Sequence, residues 1–412
     1  MRQTRNSKAA QLPERKSMIV AGIMSGTSAD GIDVAIVRIR PRRTISPTDA
    51  DLKLELLHHK AIPFSPPLRS AILAAMGSAA TTTADLARLH WRLGIAYAEA
   101  AKAALDQWRS TNSAAPLELI GCHGQTVYHQ GKAEKWLGRS FGCTWQIGEP
   151  ALIARALGVP VISNFRPADM AASGQGAPLV PLIDFVLYRH AKRTRILQNI
   201  GGIGNLTVVP AGASLSDVRA FDTGPGNMII DALMQQLYRK SYDRGGNIAS
   251  QGSVLAPIIT TLLEAPYFRT APPKSAGREQ FGEAYVVDFL SRCRQLAIKP
   301  QDILATATSL TAESIALAYK LFVASTVTRT PVDFLVSGGG AKNRTLMSML
   351  RATLEPLGCK VSTLDHVSIP VEAKEAAAFA LLAYQTWHHR PGNVPSATGA
   401  GSPAILGQVN YV

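Results

Sequence analysis

The chain has 412 residues, 46% of them hydrophobic, with 43 basic and 29 acidic side chains that give a formal net charge of +14. That length supplies two or three domains' worth of material with ample core, and no apolar run approaches the roughly 18 residues needed to span a membrane. The four cysteines, Cys122, Cys143, Cys293 and Cys359, form no C-x-x-C pair, which argues against a zinc ribbon or redox pair and for free thiols in a reducing cytoplasm.

The positive charge has two readings, a nucleic-acid partner or an electropositive cleft for anionic substrates. The basic residues are scattered apart from the first 17 residues and the run Arg38 to Arg43, and no nucleic-acid module is recognisable. Residues 1–17 read as a basic, disordered tail, since a secretory signal would need an apolar core of roughly 7–15 residues there.

Ile19 to Val37 predicts strand, polar turn, strand. The turn, Gly26-Thr27-Ser28-Ala29-Asp30-Gly31-Ile32-Asp33, offers backbone N–H and hydroxyl donors that suit a phosphate. Asp30 and Asp33 would repel that phosphate unless a cation lay between, which hints at Mg²⁺. The competing reading is a polar turn with no ligand. Leu52 to Ile62 predicts a further strand, and Leu68 to Met76 and Thr83 to Trp108 predict helices, the second with an apolar face of Leu86, Leu89, Leu93, Ala96, Tyr97 and Ala100.

Leu117 to Gly121 predicts a short buried strand running into the polar stretch Cys122 to His129. Polar residues past a strand's carboxyl end are where α/β folds place ligands. His123 and His129 could ligate a metal, but no partner has suitable spacing, and hydrogen bonding is the better reading. A helix near 150–157 and a strand at Val159 to Ile162 lead to a loop carrying Arg166 and Asp169. Arg166 there either binds an anion through its planar fork or pairs with Asp169.

A Gly-rich linker, Ser173 to Pro178, precedes a helix at Leu182 to His190. Arg195 to Val209 then repeats the opening plan: strand, Gly-rich polar turn (Gly201, Gly202, Asn205), strand. The echo predicts internal duplication, with two such turns facing a cleft. Asp222 ends a strand just before a helix at Met228 to Tyr238, where it either faces a ligand or caps the helix. Pro272 to Phe281 predicts a basic loop, a substrate contact or a solvated linker. A long helical stretch, Leu304 to Val327, precedes a buried strand at Phe334 to Val336. That strand ends in Gly338-Gly339-Gly340 and Asn343, a backbone able to lie flat against a purine. A helix at Val371 to Ala383 and Gly- and Pro-rich loops complete the chain.

No Walker A motif, Rossmann fingerprint or nucleophile elbow occurs. A nucleotide held by hairpin turns and a Gly-rich loop remains, with an acidic residue between them.

From about residue 18 onward the motifs resemble the anhydro-N-acetylmuramic acid kinases of the sugar kinase/Hsp70/actin superfamily. They are Met-Ser-Gly-Thr-Ser-x-Asp-Gly-x-Asp (24–33), His-Gly-Gln-Thr (123–126), Gln-Ile-Gly (146–148), Gly-Gln-Gly-Ala-Pro-Leu-Val-Pro (174–181), Asn-Ile-Gly-Gly (199–202), Phe-Asp-x-Gly-Pro-Gly-Asn (221–227) and Ser-Gly-Gly-Gly-x-x-Asn (337–343). The resemblance implies an α/β, two-domain actin-like fold of duplicated five-stranded mixed sheets flanked by helices, with ATP and Mg²⁺ in a central cleft. The domains expected are 18–172 plus 373–412, and 173–372. The implied activity is hydrolytic opening of 1,6-anhydro-N-acetylmuramic acid with phosphorylation of O6, in bacterial cell-wall recycling. It also implies a cytoplasmic homodimer with no membrane or nucleic-acid partner. Carried over by motif, Asp222 is the catalytic base. Glu375 positions water or substrate, with Glu372 as its competitor. Gly26 to Asp33 hold phosphates, with Asp30 and Asp33 toward the metal. Gly201, Gly202 and Asn205 form the second phosphate turn, and Gly338, Gly339, Gly340 and Asn343 meet the adenosine. Gln125, Gln146, Arg166 and Asp169 are the sugar candidates. Asn164 departs from the Asp that many relatives carry before Phe-Arg.

Overall fold

The computed structural model describes residues 16–42, 50–77, 81–111, 115–296, 299–327, 329–364 and 369–412. The expected basic tail therefore lies outside the described residues, save Lys16 and Ser17. The strands, in chain order, are β1 (Met18–Met24), β2 (Gly31–Pro41), β3 (Leu52–Pro63), β4 (Leu119–Cys122), β5 (Gln125–Trp136), β6 (Arg139–Ile147), β7 (Val161–Ser163), β8 (Thr194–Ile200), β9 (Ile203–Val209), β10 (Arg219–Pro225), β11 (Val332–Ser337), β12 (Cys359–Thr363) and β13 (Gln408–Asn410). Two compact units partition the chain: Met1–Leu179 with Glu372–Asn393 and Ala400–Val412, and Val180–Val371 with Val394–Gly399.

The first unit's sheet has the order β13-β7-β4-β1-β2-β3. The β3-β2-β1 meander is antiparallel, and β1, β4 and β7 are parallel. The second unit's sheet runs β10-β9-β8-β11-β12, again an antiparallel meander followed by two parallel pairings. Element for element the two plans coincide, so the duplication signalled by the two hairpins extends to whole sheets. Five strands per sheet were expected. The first unit has a sixth because β13 pairs antiparallel with β7, and its three residues lie in a tail too short and Gly/Pro-rich to read as strand.

β1 and β4 are buried on both faces, as an apolar β-branched run requires. One covering helix, Val371–Trp387, packs unusually close because both sides of the contact are small. A Cβ on Gly22 would fall inside the Ala376 carbonyl, and one on Gly121 inside the Phe379 carbonyl. The helix presents Ala373, Ala376, Ala377 and Ala380 fully buried. In the second unit, helix Pro300–Phe322 buries Thr306, Thr308 and Thr311. Thr306 and Thr308 turn their hydroxyls back to the carbonyls of Asp302 and Leu304, so no polar group is stranded.

Two segments depart from expectation. Residues 125–147, read as polar loop pieces, form the separate β5–β6 hairpin. Its aromatic side chains, Tyr128, Trp136, Phe141 and Trp145, are exposed, so no in-out alternation runs along it. Arg166–Ala171 is a short helix with Pro167 in its first turn, not a loop. Asn164 turns the chain into it at φ 57°, a left-handed conformation that asparagine and aspartate tolerate better than other side chains. Among the described residues no helix is long and apolar enough to cross a membrane.

Candidate active site

In the first unit the polar turn between β1 and β2 is closed by Ala29 N–H donating to the Gly26 carbonyl at 3.1 Å. Thr27, Ser28 and Asp30 are exposed, whereas Ala29 and Ile32 are buried and can offer a ligand only backbone. Two side chains brace the turn. Arg69, from helix Pro66–Met76, donates Nε to the Ala29 carbonyl at 3.1 Å and lies 3.3 Å from the Asp30 carboxylate. Gln125, wholly buried, donates Nε2 to the Gly26 carbonyl at 3.2 Å. Gln125 therefore supports the turn from beneath, while its Oε1 is buried without a partner. No sequence motif marked Arg69.

Beside the turn lies a polar cluster held by the short helix. Arg166 donates Nε to His123 Nε2 at 3.1 Å and Nη1 to the Gly176 carbonyl at 2.7 Å. His123 Nδ1 is 2.8 Å from the Gly124 carbonyl. A carbonyl only accepts, so the ring carries its proton on Nδ1 and accepts at Nε2. Burial, then Arg166, holds the imidazole well below its usual range and neutral. Burial lowers Arg166 itself to about 10, opposed by the nearby carboxylates of Glu375 and Asp169. Asp169 is fully buried, accepting from Gly176 N–H at 2.8 Å and Asn393 Nδ2 at 2.7 Å. It thereby holds the Gly174–Gly176 loop in place. Gln146 reaches Thr144 Oγ1 at 2.7 Å while its Oε1 is buried without a partner. That leaves one acceptor available.

Glu375 stands on the close-packed helix, within electrostatic reach of Lys374, Arg166 and Asp33. Its side chain keeps accessible surface yet is densely surrounded by protein. That loss of solvent raises its pKa, with Lys374 and Arg166 opposing and Asp33 reinforcing the shift. Its competitor Glu372 is exposed in the helix's first turn. Asp33 Oδ1 is 2.9 Å from His59 Nε2. Among the described residues no group of three or more His, Cys, Asp or Glu could cage a metal. The Asp33 carboxylate, with that of Asp30 in the same turn, suits Mg²⁺, which takes one or two carboxylates and completes its shell with water and phosphate oxygens.

In the second unit the Gly201–Gly202 turn is latched to helix Asn227–Tyr238. Asn227 N–H donates to the Gly201 carbonyl at 2.7 Å, and Gly226 N–H donates to that of Gly202 at 2.9 Å. Asn205 is exposed and pairs in register with Asp222. Asp222 lies on the edge strand β10, so it is not the helix cap. Its Oδ2 accepts from Ala276 N–H at 2.8 Å, and its own N–H donates to the Lys274 carbonyl at 3.0 Å. Burial raises its pKa to about 6, with Glu279 adding to the shift and Lys274 opposing it.

The glycine triplet has a different rationale from the one expected. A Cβ on Gly338, at φ 81°, would stand 2.6 Å from Asn199 Oδ1, and one on Gly340 would run into Ile200. Both glycines therefore serve packing against the end of β8. A Cβ on Gly339 would meet only a side-chain end, Asn227 Nδ2 at 3.2 Å, and Gly339 lines a cavity of about 590 Å³ with Asn227, Asp231, Tyr242, Arg244 and Asn343 among others. That volume lies within the ~300–1,000 Å³ usual for small-molecule sites. Asn343 accepts from Leu346 N–H at 3.0 Å and so caps helix Arg344–Leu354 while facing the cavity.

The family model for anhydro-N-acetylmuramic acid kinase matches residues 18–412. The chain belongs to this family. A relative named anhydro-N-acetylmuramic acid kinase, from Bacillus cereus strain G9842, is 46% identical over 394 residues, covering 96% of this chain and 99% of its own. Another of that name, from Bacillus cereus strain B4264, is 45% identical and covers 96% and 97%. Solved structures align at lower similarity. An activator of 2-hydroxyisocaproyl-CoA dehydratase from Clostridium difficile has TM-score 0.39 and 11% identity, covering 89% of this chain and 95% of its own. A ROK family glucokinase from Streptomyces griseus has TM-score 0.36 and 11% identity, covering 89% and 99%. As a member of the family, the chain is an ATP-dependent sugar kinase.

Proposed function

We propose that the chain converts 1,6-anhydro-N-acetylmuramic acid, ATP and water to N-acetylmuramic acid 6-phosphate and ADP, with Asp222 as general base. Asp222 takes a proton from water as the water oxygen bonds to C1. The C1–O6 bond breaks, O6 bonds to the γ-phosphorus, and the bond to the β,γ-bridging oxygen of ATP breaks. The observation that carries the role is the carboxylate itself, held by one backbone N–H and raised by burial to about 6. It is thus ionised at neutral pH yet more basic than an exposed carboxylate.

The remaining roles follow the geometry of each unit. The exposed donors of Gly26 to Ser28 receive phosphate oxygens, and Asp33 would ligate a Mg²⁺ ion that neutralises phosphate charge. Arg166, oriented by His123, binds the carboxylate of the lactyl group through its free nitrogen, and Gln146 Oε1 accepts from a sugar hydroxyl or amide. Glu375 positions water or the sugar. The cavity beside Gly339 takes the nucleoside. The reading carries with it a bacterial cytoplasmic location and a homodimer. Incubation with ATP and the anhydro sugar tests it: stoichiometric ADP and 6-phosphorylated sugar are expected, and ATP consumption only with ordinary free hexoses would refute it.

A further inference from the structure

Lys274 is a buried lysine for which the reaction above has no use. It is 8% exposed and lies in the segment whose backbone grips Asp222. Its ammonium donates to the Tyr267 carbonyl at 3.1 Å and sits 4.8 Å from the ring centroids of both Tyr267 and Phe322. Two aromatic faces around one desolvated cation make a strong, directional anchor. The segment so anchored touches Asp222 repeatedly. The Lys274 carbonyl accepts the Asp222 N–H, and Ala276 N–H donates to the Asp222 carboxylate. The Tyr267 hydroxyl donates to the Asp222 carbonyl at 2.9 Å. Because β10 is the sheet's edge strand, β9 pairs with it on one side only, and the 274–276 segment takes the other side at Asp222.

We propose that Lys274 is the positioning residue for Asp222: its caged ammonium pins the 274–276 backbone, so the carboxylate stays aimed and its charge stays balanced. The proposal rests on Asp222 being the base. Charge supports it in both directions. Lys274 lowers the pKa of Asp222, Asp222 raises that of Lys274, and burial brings Lys274 to about 8. The other titratable groups facing Asp222 are Glu279, which raises its pKa, and Tyr267, whose own ionisation Asp222 opposes.

The test is the pH profile of kcat/KM for Lys274→Met, Lys274→Arg and Asp222→Asn. Lys274→Met keeps the stem's packing but loses the cation. Its acid limb should move upward by about half a pH unit or more, with kcat down about tenfold and KM for ATP little changed. Lys274→Arg, which can stack in the same cage, should restore the limb. If Lys274→Met does not fold, Lys274→Gln gives the same reading. An unmoved limb in the neutral variants, with Asp222→Asn inactive, would overturn the proposal alone. Turnover surviving in Asp222→Asn would overturn the role of Asp222 itself.

Discussion

Asp222→Asn should abolish turnover and stabilise the protein, and the two effects share one cause. Burial lifts the carboxyl from 3.8 to about 6. At 1.36 kcal/mol per unit, keeping it ionised at pH 7.5 costs about 3 kcal/mol. Asparagine removes that cost but accepts the Ala276 N–H without a charge, forfeiting about 1 kcal/mol of hydrogen bonding. A net gain of about 1–2 kcal/mol follows, visible as a rise of a few degrees in thermal midpoint. The pH dependence is diagnostic. A folded-state pKa raised above its unfolded value contributes stability that is present below 3.8 and lost as pH rises through about 6. The advantage of the variant should therefore be largest above pH 7 and shrink toward pH 4.5. Turnover should fall by about 10²-fold or more. Scanning fluorimetry of both proteins across this range, beside the kinase assay, reads both effects. An advantage over the native protein no larger at pH 7.5 than at 4.5 would show that Asp222 carries no burial penalty.

Arg69→Met should leave the fold intact and raise KM for ATP about tenfold, since two carbonyls of the turn lose their brace; an unchanged KM would separate Arg69 from phosphate binding. Gly22→Ala should lose at least about 3 kcal/mol in denaturant unfolding, because its methyl group would meet helix backbone, which cannot move aside as a side chain would. Gly339→Ala should fold normally and weaken nucleotide binding, whereas Gly340→Ala should lose stability first, through Ile200; titration calorimetry and thermal melts of the pair separate the two.

Much of the sheet was legible because it is written in short β-branched runs with turn residues between them, and the second hairpin repeats the first. The β5–β6 hairpin was not legible, since its exposed aromatics break the usual alternation. The site was legible as motifs, but not the contacts that hold it together. Asp169 and Gln125 carry polar side chains in a motif-rich region, but their partners lie 224 and 99 residues away in the chain, at Asn393 and Gly26. Only the folded chain shows that they hold loops in place. Arg69 was invisible as a site residue because it sits mid-helix, and Lys274 was legible only as part of a basic, Pro-rich loop that either contacts substrate or links elements. Their roles come from what folding places beside them.

In the proposed reaction water, activated by Asp222, opens the anhydro bridge as O6 is phosphorylated. The most direct measurement is a single turnover in ¹⁸O-labelled water, quenched early and compared with unlabelled product held in the same water. One labelled oxygen at C1 and none in the new phosphate ester is the expected result. Label absent from C1, or present in the ester, would contradict it.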